Sequence, residues 1–151
     1  MIPNVKYTLP IVNEIQTQIN ITYLQALMDN RSVITVILGV EPFVGAFDFA
    51  TPSAYPHSPN RQVTPANPFI TFSNLADVEY FHDLLWKMSN AIQAFAVSQG
   101  QSRWGDIHFP NLALDDTPKN LLFGSNIPRL KQIKHAVDPK NIMGLTGGFK
   151  F

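Results

Sequence analysis

The sequence predicts an α+β fold in which helices gather on one face of a sheet. Three observations carry that expectation. Residues 32–40, SVITVILGV, are dominated by β-branched side chains and hold no charge, the composition of a largely buried strand. Two longer segments, residues 11–29 and 75–98, repeat their apolar side chains every three or four positions, the period of an amphipathic helix. Shorter strand-like runs alternate with these helices, giving the order β-α-β-loop-β-α-β-α.

The elements follow in turn. Residues 5–9 are expected to form a short strand. Pro10 suits a first helical turn. Ile11, Ile15, Ile19, Tyr23, Leu24, Leu27 and Met28 then lay an apolar stripe along a helix that Asp29-Asn30 ends. After the strand at 32–40, residues 41–68 hold six prolines and read as one irregular loop. A loop of that length in a compact domain is usually functional or disordered. Phe43, Phe47, Phe49 and Tyr55 argue against disorder, because disordered segments are poor in aromatics. Residues 69–72 predict a strand, and Ser73 or Asn74 can cap the next helix. Its apolar residues run from Leu75 through Phe81, Leu84, Met88 and Ile92 to Ala96, and Gly100 is its natural stop. Residues 107–109 predict another strand. A last helix spans 127–137, with Ile127, Leu130, Ile133 and Val137 inward and Lys131, Lys134 and Lys140 outward, and Asp138-Pro139 terminates it.

Composition narrows the function. Eleven basic residues cancel eleven acidic ones, so there is no electrostatic footprint for nucleic acid or anionic lipid. The absence of cysteine excludes disulfides, thiolate catalysis, cysteine–metal sites and a cysteinyl-flavin bond. No apolar run approaches the ~20 residues that span a bilayer, and the first residues lack the layout of a signal peptide. The expectation is a single stand-alone unit, residues 1–151, in the cytoplasm, with no membrane partner.

Two clusters carry candidate chemistry. Tyr55, His57 and Arg61 fall in one loop segment, where they could bind a polar substrate group and move a proton, histidine being suited to that near neutral pH; the alternative is an exposed polar turn. Arg103, Asp106 and His108 form the second. Asp106 and His108 lie two apart on an expected strand and so share a face. They could act as an acid/base pair or hold a metal, although two ligands fall short of the usual three for a catalytic zinc; the alternative is a strand edge. Glu41 and Asp48 flank Phe43 and Phe47, where desolvation would raise a carboxyl pKa, with a structural hydrogen bond as the alternative for Glu41. His82 and His135 are expected to face solvent, and Trp86 to pack in the core or between helix and sheet. There is no glycine-rich phosphate loop and no nucleophilic serine motif.

The tail is the most specific stretch. Phe123-Gly124-Ser125-Asn126-Ile127-Pro128-Arg129-Leu130, then Lys134, then Asp138-Pro139-Lys140-Asn141-Ile142-Met143, resembles the terminal signature of berberine-bridge-enzyme-like, FAD-linked oxidases. That signature runs approximately Y-G-x-N-x-x-R-L-x-x-x-K, then D-P-x-N-x-F. The closing Gly144 to Phe151, with Glu41-Pro42-Phe43, Ser53-Ala54-Tyr55-Pro56, Thr64-Pro65-Ala66-Asn67 and Asp116-Thr117-Pro118, is similar to fungal members in order and spacing. The resemblance implies the substrate domain of that family, an antiparallel sheet covered by helices that roofs the flavin. It covers only that C-terminal part, so no flavin-linking residue is expected, and FAD would enter only through a separate partner. Many members read Y-x-N-Y in the strand facing the flavin, the last tyrosine resembling a catalytic base. Here the stretch is Phe109-Pro110-Asn111-Leu112, and leucine cannot take a proton. Asn111 carries over as a polar contact.

The expected function is therefore a cofactor-independent cyclase, isomerase or lyase of specialised metabolism acting on a hydrophobic small molecule. The expected catalytic residues are His108, Asp106, His57 and Tyr55. Arg61, Arg103, Phe109, Asn111, Leu112, Phe43 and Phe47 are expected to bind substrate. The competing expectations are a non-catalytic subunit of a separate FAD-binding protein and the C-terminal fragment of an FAD-dependent oxidase. A sheet face that the family covers with its flavin part would be bare here, and soluble monomers rarely expose large apolar patches, so a homodimer through that face is expected.

Overall fold

A computed structural model describes residues 1–43, 45–48, 51–57 and 60–151. Strands β1 (Ile2–Asn4), β2 (Val33–Val40) and β3 (Thr64–Phe72) form one antiparallel sheet in the order β1-β3-β2. The helices are α1 (Leu9–Met28), α2 (Val78–Ser98), the short α3 (Lys119–Phe123) and α4 (Ile127–Val137). This is the expected α+β class, with α1 and α2 packed on the sheet. The core joins Ile11 and Ile15 of α1, Met88, Ile92 and Ala96 of α2, and Ile2, Val36 and Ala66 of the sheet. Beside it, Ala26, Phe81 and Leu84 form a second cluster, with Phe72 stacked on Phe81 at 4.6 Å. No helix among the described residues is long and apolar enough to cross a membrane.

α2 has the strongest amphipathic period and matches expectation. Asn74 accepts the Ala76 N–H at its entry. Gly100 leaves at φ +69° after its N–H bonds the Val97 carbonyl. A Cβ at Gly100 would touch nothing within 4 Å, so Gly100→Ala meets only the left-handed backbone penalty. It is expected to cost about 1 kcal/mol of unfolding free energy in urea titration.

Several expectations need correction. The first strand is Ile2–Asn4 instead of 5–9, because the Val5 N–H turns away to the Gln101 carbonyl. β3 begins five residues before the expected 69, although it contains Pro65 and Pro68 and is the central strand. Proline normally avoids that place because it cannot donate to a ladder. Pro65 turns its carbonyl to the Glu41 N–H at the end of β2. By strand alternation Pro68 faces the other side, where β1 has already ended at its Ile2–Ala66 pairing. A register shift between Val33 and Thr35 makes Ile34 an extra residue. Val33 therefore joins Val36 and Leu38 on the helix side. Ile37 and Phe69 pair on the opposite side and are 52% and 48% exposed.

No strand forms at 107–109. The His108 N–H bonds the Leu121 carbonyl instead, and Pro110–Leu112 is a 3-10 turn. α4 has the expected bounds but buries no residue; Val137 is 76% exposed. It packs chiefly against α3 and the turn between them, so its apolar stripe meets no core. Lys134 bends back to Asp138 and Asn141, at 3.4 and 2.6 Å, instead of facing out. The accessible surface of 9077 Å² exceeds the roughly 7,700 Å² of a compact monomer of this mass.

Candidate active site

Two loops build the cavity: residues 41–63 between β2 and β3, and residues 101–109 after α2. They face one another because β3 and the end of α2 both pack against β1, whose exit is tied to Gln101. The cavity measures about 270 Å³, and its lining includes Phe47, Tyr55, His57, Arg61, Arg103 and Asp106. The two clusters read separately in the sequence thus share one cavity.

Arg61 and Asp106 join them. Arg61 Nε donates to Asp106 Oδ1 at 2.9 Å and Nη2 donates to Oδ2 at 2.7 Å. The Arg103 N–H adds a third bond to Oδ2 at 2.8 Å. The side chains are 22% and 9% exposed, so this fork is shielded from solvent far better than a surface pair. The carboxylate beside Arg61 raises the guanidinium pKa further and fixes it as a cation.

The opposite wall is aromatic. His57 stacks on Phe47 with centroids 5.1 Å apart and lies parallel to Tyr55 at 6.2 Å. Phe43 meets Phe47 and Phe109 edge-on, and Tyr55 meets Phe109 edge-on. His57 Nδ1 lies 3.1 Å from the Tyr55 carbonyl. A carbonyl only accepts, so in the neutral ring Nδ1 carries the proton and Nε2 keeps a lone pair. Burial raises the Tyr55 phenol above its usual pKa, so it remains a hydrogen-bond donor.

The expected Asp106–His108 pair on one strand face does not exist. Asp106 is committed to Arg61 and Arg103, and His108 lies behind the cavity, 4% exposed, with Nε2 unpartnered. Burial drives the His108 pKa down to about 4; the positive chain terminus adds to this and Asp106 opposes it. Phe43 and Phe109, both expected to bind substrate, pack against each other behind the aromatic wall and are not part of the cavity lining. Asn111 and Leu112 sit in the 3-10 turn, Asn111 exposed, and neither lines the cavity. Glu41 ends β2 through its backbone N–H, and the Asp48 carboxylate accepts the Gln62 side chain. Phe49 lies outside the described residues.

The sequence reading missed Gln62, Val63 and Ile107 as lining residues; nothing but tertiary placement marks them. It also placed His82 in solvent and Trp86 in the core or between helix and sheet. His82 Nε2 instead lies 3.2 Å from Asp116, whose carboxylate accepts the Trp86 indole N–H at 3.0 and 3.1 Å. His82, Asp115 and Asp116 offer ligand atoms within 4.8 Å of one another.

Residues 108–145 match the family model described as Berberine and berberine like. No curated protein and no solved structure matches the chain. The match supports a berberine-bridge-like scaffold over that segment. It contains α3, α4 and the terminal signature, whereas the cavity lining lies wholly before it. Among the described residues, this cavity does not fit a flavin dinucleotide. Phe109-Pro110-Asn111-Leu112 forms a turn with Asn111 in solvent. A cavity of about 270 Å³ lies below the roughly 300–1,000 Å³ of drug-sized ligand sites, and a dinucleotide is larger still.

Proposed function

We propose that this chain is a cofactor-independent enzyme of specialised metabolism, of cyclase, isomerase or lyase type, built on the substrate-domain part of a fungal-type berberine-bridge-like scaffold. The observation that carries the reading is the convergence of His57, Tyr55 and the Arg61–Asp106 fork on one aromatic-walled cavity. An apolar slot with a few placed polar groups is how small-molecule sites achieve orientation.

In this reading His57 Nε2 takes a proton from a carbon next to a carbonyl. The enolate oxygen accepts the Tyr55 O–H and the charge of Arg61. Return of the proton to a different carbon completes an isomerisation with no net change in atoms or electrons. Phe47 lines the slot, and Phe43 and Phe109 pack edge-on behind its aromatic wall. Asp106 and His108 are positioning residues, Asp106 by holding Arg61 and His108 by filling the base of the loop. His57→Gln is expected to lower turnover about 100-fold or more in protein without added flavin, with Tyr55→Phe less severe. Steady-state assays on a compound the protein converts check this. Unchanged turnover in His57→Gln would remove the histidine from the mechanism.

The open sheet face favours a partner. Ile37 and Phe69 sit opposite one another with Ile34 exposed nearby, and the Phe69 ring lies over Gly39. We read this face as a cytoplasmic homodimer interface, which at standard size would bury about 800 Å² per subunit. A separate FAD-binding protein on the same face is the second reading, in which the chain is a non-catalytic subunit. Light scattering after size exclusion is expected to give a dimer, and Ile37→Lys with Phe69→Glu a monomer. A wild-type monomer that pairs only with a flavoprotein would select the second reading.

A further inference from the structure

We infer that the cavity takes a carboxylate carried on a flat, aromatic or polyunsaturated body. This rests on reading the cavity as a substrate site, and the charge layout is what adds the carboxylate.

The charged groups in the lining are Arg61, Arg103 and Asp106. Asp106 already pairs its charge with Arg61, which takes both of its oxygens, and the Arg103 N–H adds a second bond to Oδ2. Arg61 spends only Nε and one Nη2 position on that fork, and among the described residues its Nη1 edge has no partner and is open to a ligand. The Arg103 guanidinium has no acidic partner among the described residues; the Asp106 bond comes from its backbone. The other acids of the 41–63 loop, Glu41 and Asp48, are not part of the lining, and Asp48 accepts from Gln62. The cavity therefore carries two arginines against one neutralised carboxylate. Arginine presents its N–H groups as a planar fork that matches a carboxylate. On the other wall Phe47 and His57, stacked with ring centroids 5.1 Å apart, offer a flat surface. A ligand that satisfies both walls has an anionic head and a planar body.

The test is calorimetric titration of the purified full chain with 2-naphthoate and with its uncharged analogue 2-naphthamide at 0.15 M salt. Wild type, Arg103→Gln and Phe47→Ala are compared. The naphthoate is expected to bind about tenfold more tightly than the amide to wild type, the value of one charge-assisted contact. Arg103→Gln is expected to bring the two within about twofold. Phe47→Ala is expected to weaken both while leaving their ratio in place. Equal binding of naphthoate and naphthamide to wild type would overturn the carboxylate inference and leave the cavity as a neutral-ligand site. Binding that Phe47→Ala leaves untouched, or no binding of either probe, would overturn the site reading and the inference with it.

Discussion

Asp106→Ala is expected to lower the unfolding free energy by about 3 kcal/mol, because it strands a shielded guanidinium without its partner. The carboxylate does three things: it takes both bonds of the Arg61 fork and the N–H that turns the Arg103 loop. Loss of one partner from such a pair costs more than the pair contributes, since the survivor keeps its desolvation penalty. Arg61→Ala with Asp106→Ala should therefore cost less than the two single changes added together. Urea denaturation across this double-mutant cycle measures the coupling. A single-mutant loss below about 0.5 kcal/mol would place the pair with ordinary surface bridges and remove the link between the two loops.

Acidification from pH 6.5 to pH 4 is expected to cost the wild-type protein about 3 kcal/mol through His108 alone. Burial holds its pKa at about 4 against 6.5 in the unfolded chain. In that window the unfolded state binds the proton and the native state does not, so stability falls as pH falls and is level for this group above pH 6.5. Two and a half units at 1.36 kcal/mol each set the size. The carboxylates with depressed pKa values, Asp29, Asp77 and Asp138, lose their contribution below their usual 3.8, outside the window. His108→Gln should flatten the curve between pH 4 and 6.5 in urea titrations. A wild-type profile already flat there would mean that His108 is reached by solvent.

What the sequence disclosed depended on periodicity. α1, α2 and β2 were legible because a long apolar repeat survives small errors of register, although Leu24, Leu27 and Met28 of the expected α1 stripe are exposed and Thr22 and Ala26 are buried instead. α4 was legible in its bounds, yet its inward face was not, because an apolar stripe says nothing about whether a neighbour exists to cover it. Pro65 and Pro68 hid the first half of β3, since their tolerance depends on where β1 stops. Ile107, His108 and Phe109 look like a strand, but their backbone groups found Leu121 and Met1 instead of a ladder. The site was legible as two clusters of residue types and not as one cavity. Arg61 and Asp106 are 45 positions apart, and only the packing of both loops around β1 brings them together. Asn111 and Leu112 entered through the resemblance to flavin-facing motifs, and the turn that holds them is not part of the cavity lining.

The most direct test of cofactor-independent catalysis is the mass of the product formed in an oxygen-free chamber without added flavin. Purified protein would be incubated with enolisable aromatic carboxylic acids, beside His57→Gln, and followed by mass spectrometry. A product of unchanged mass, or fragments summing to it, that forms without oxygen and disappears in His57→Gln is the expected result. Turnover seen only after FAD and an electron acceptor are supplied, giving a product lighter by two hydrogens, would contradict it.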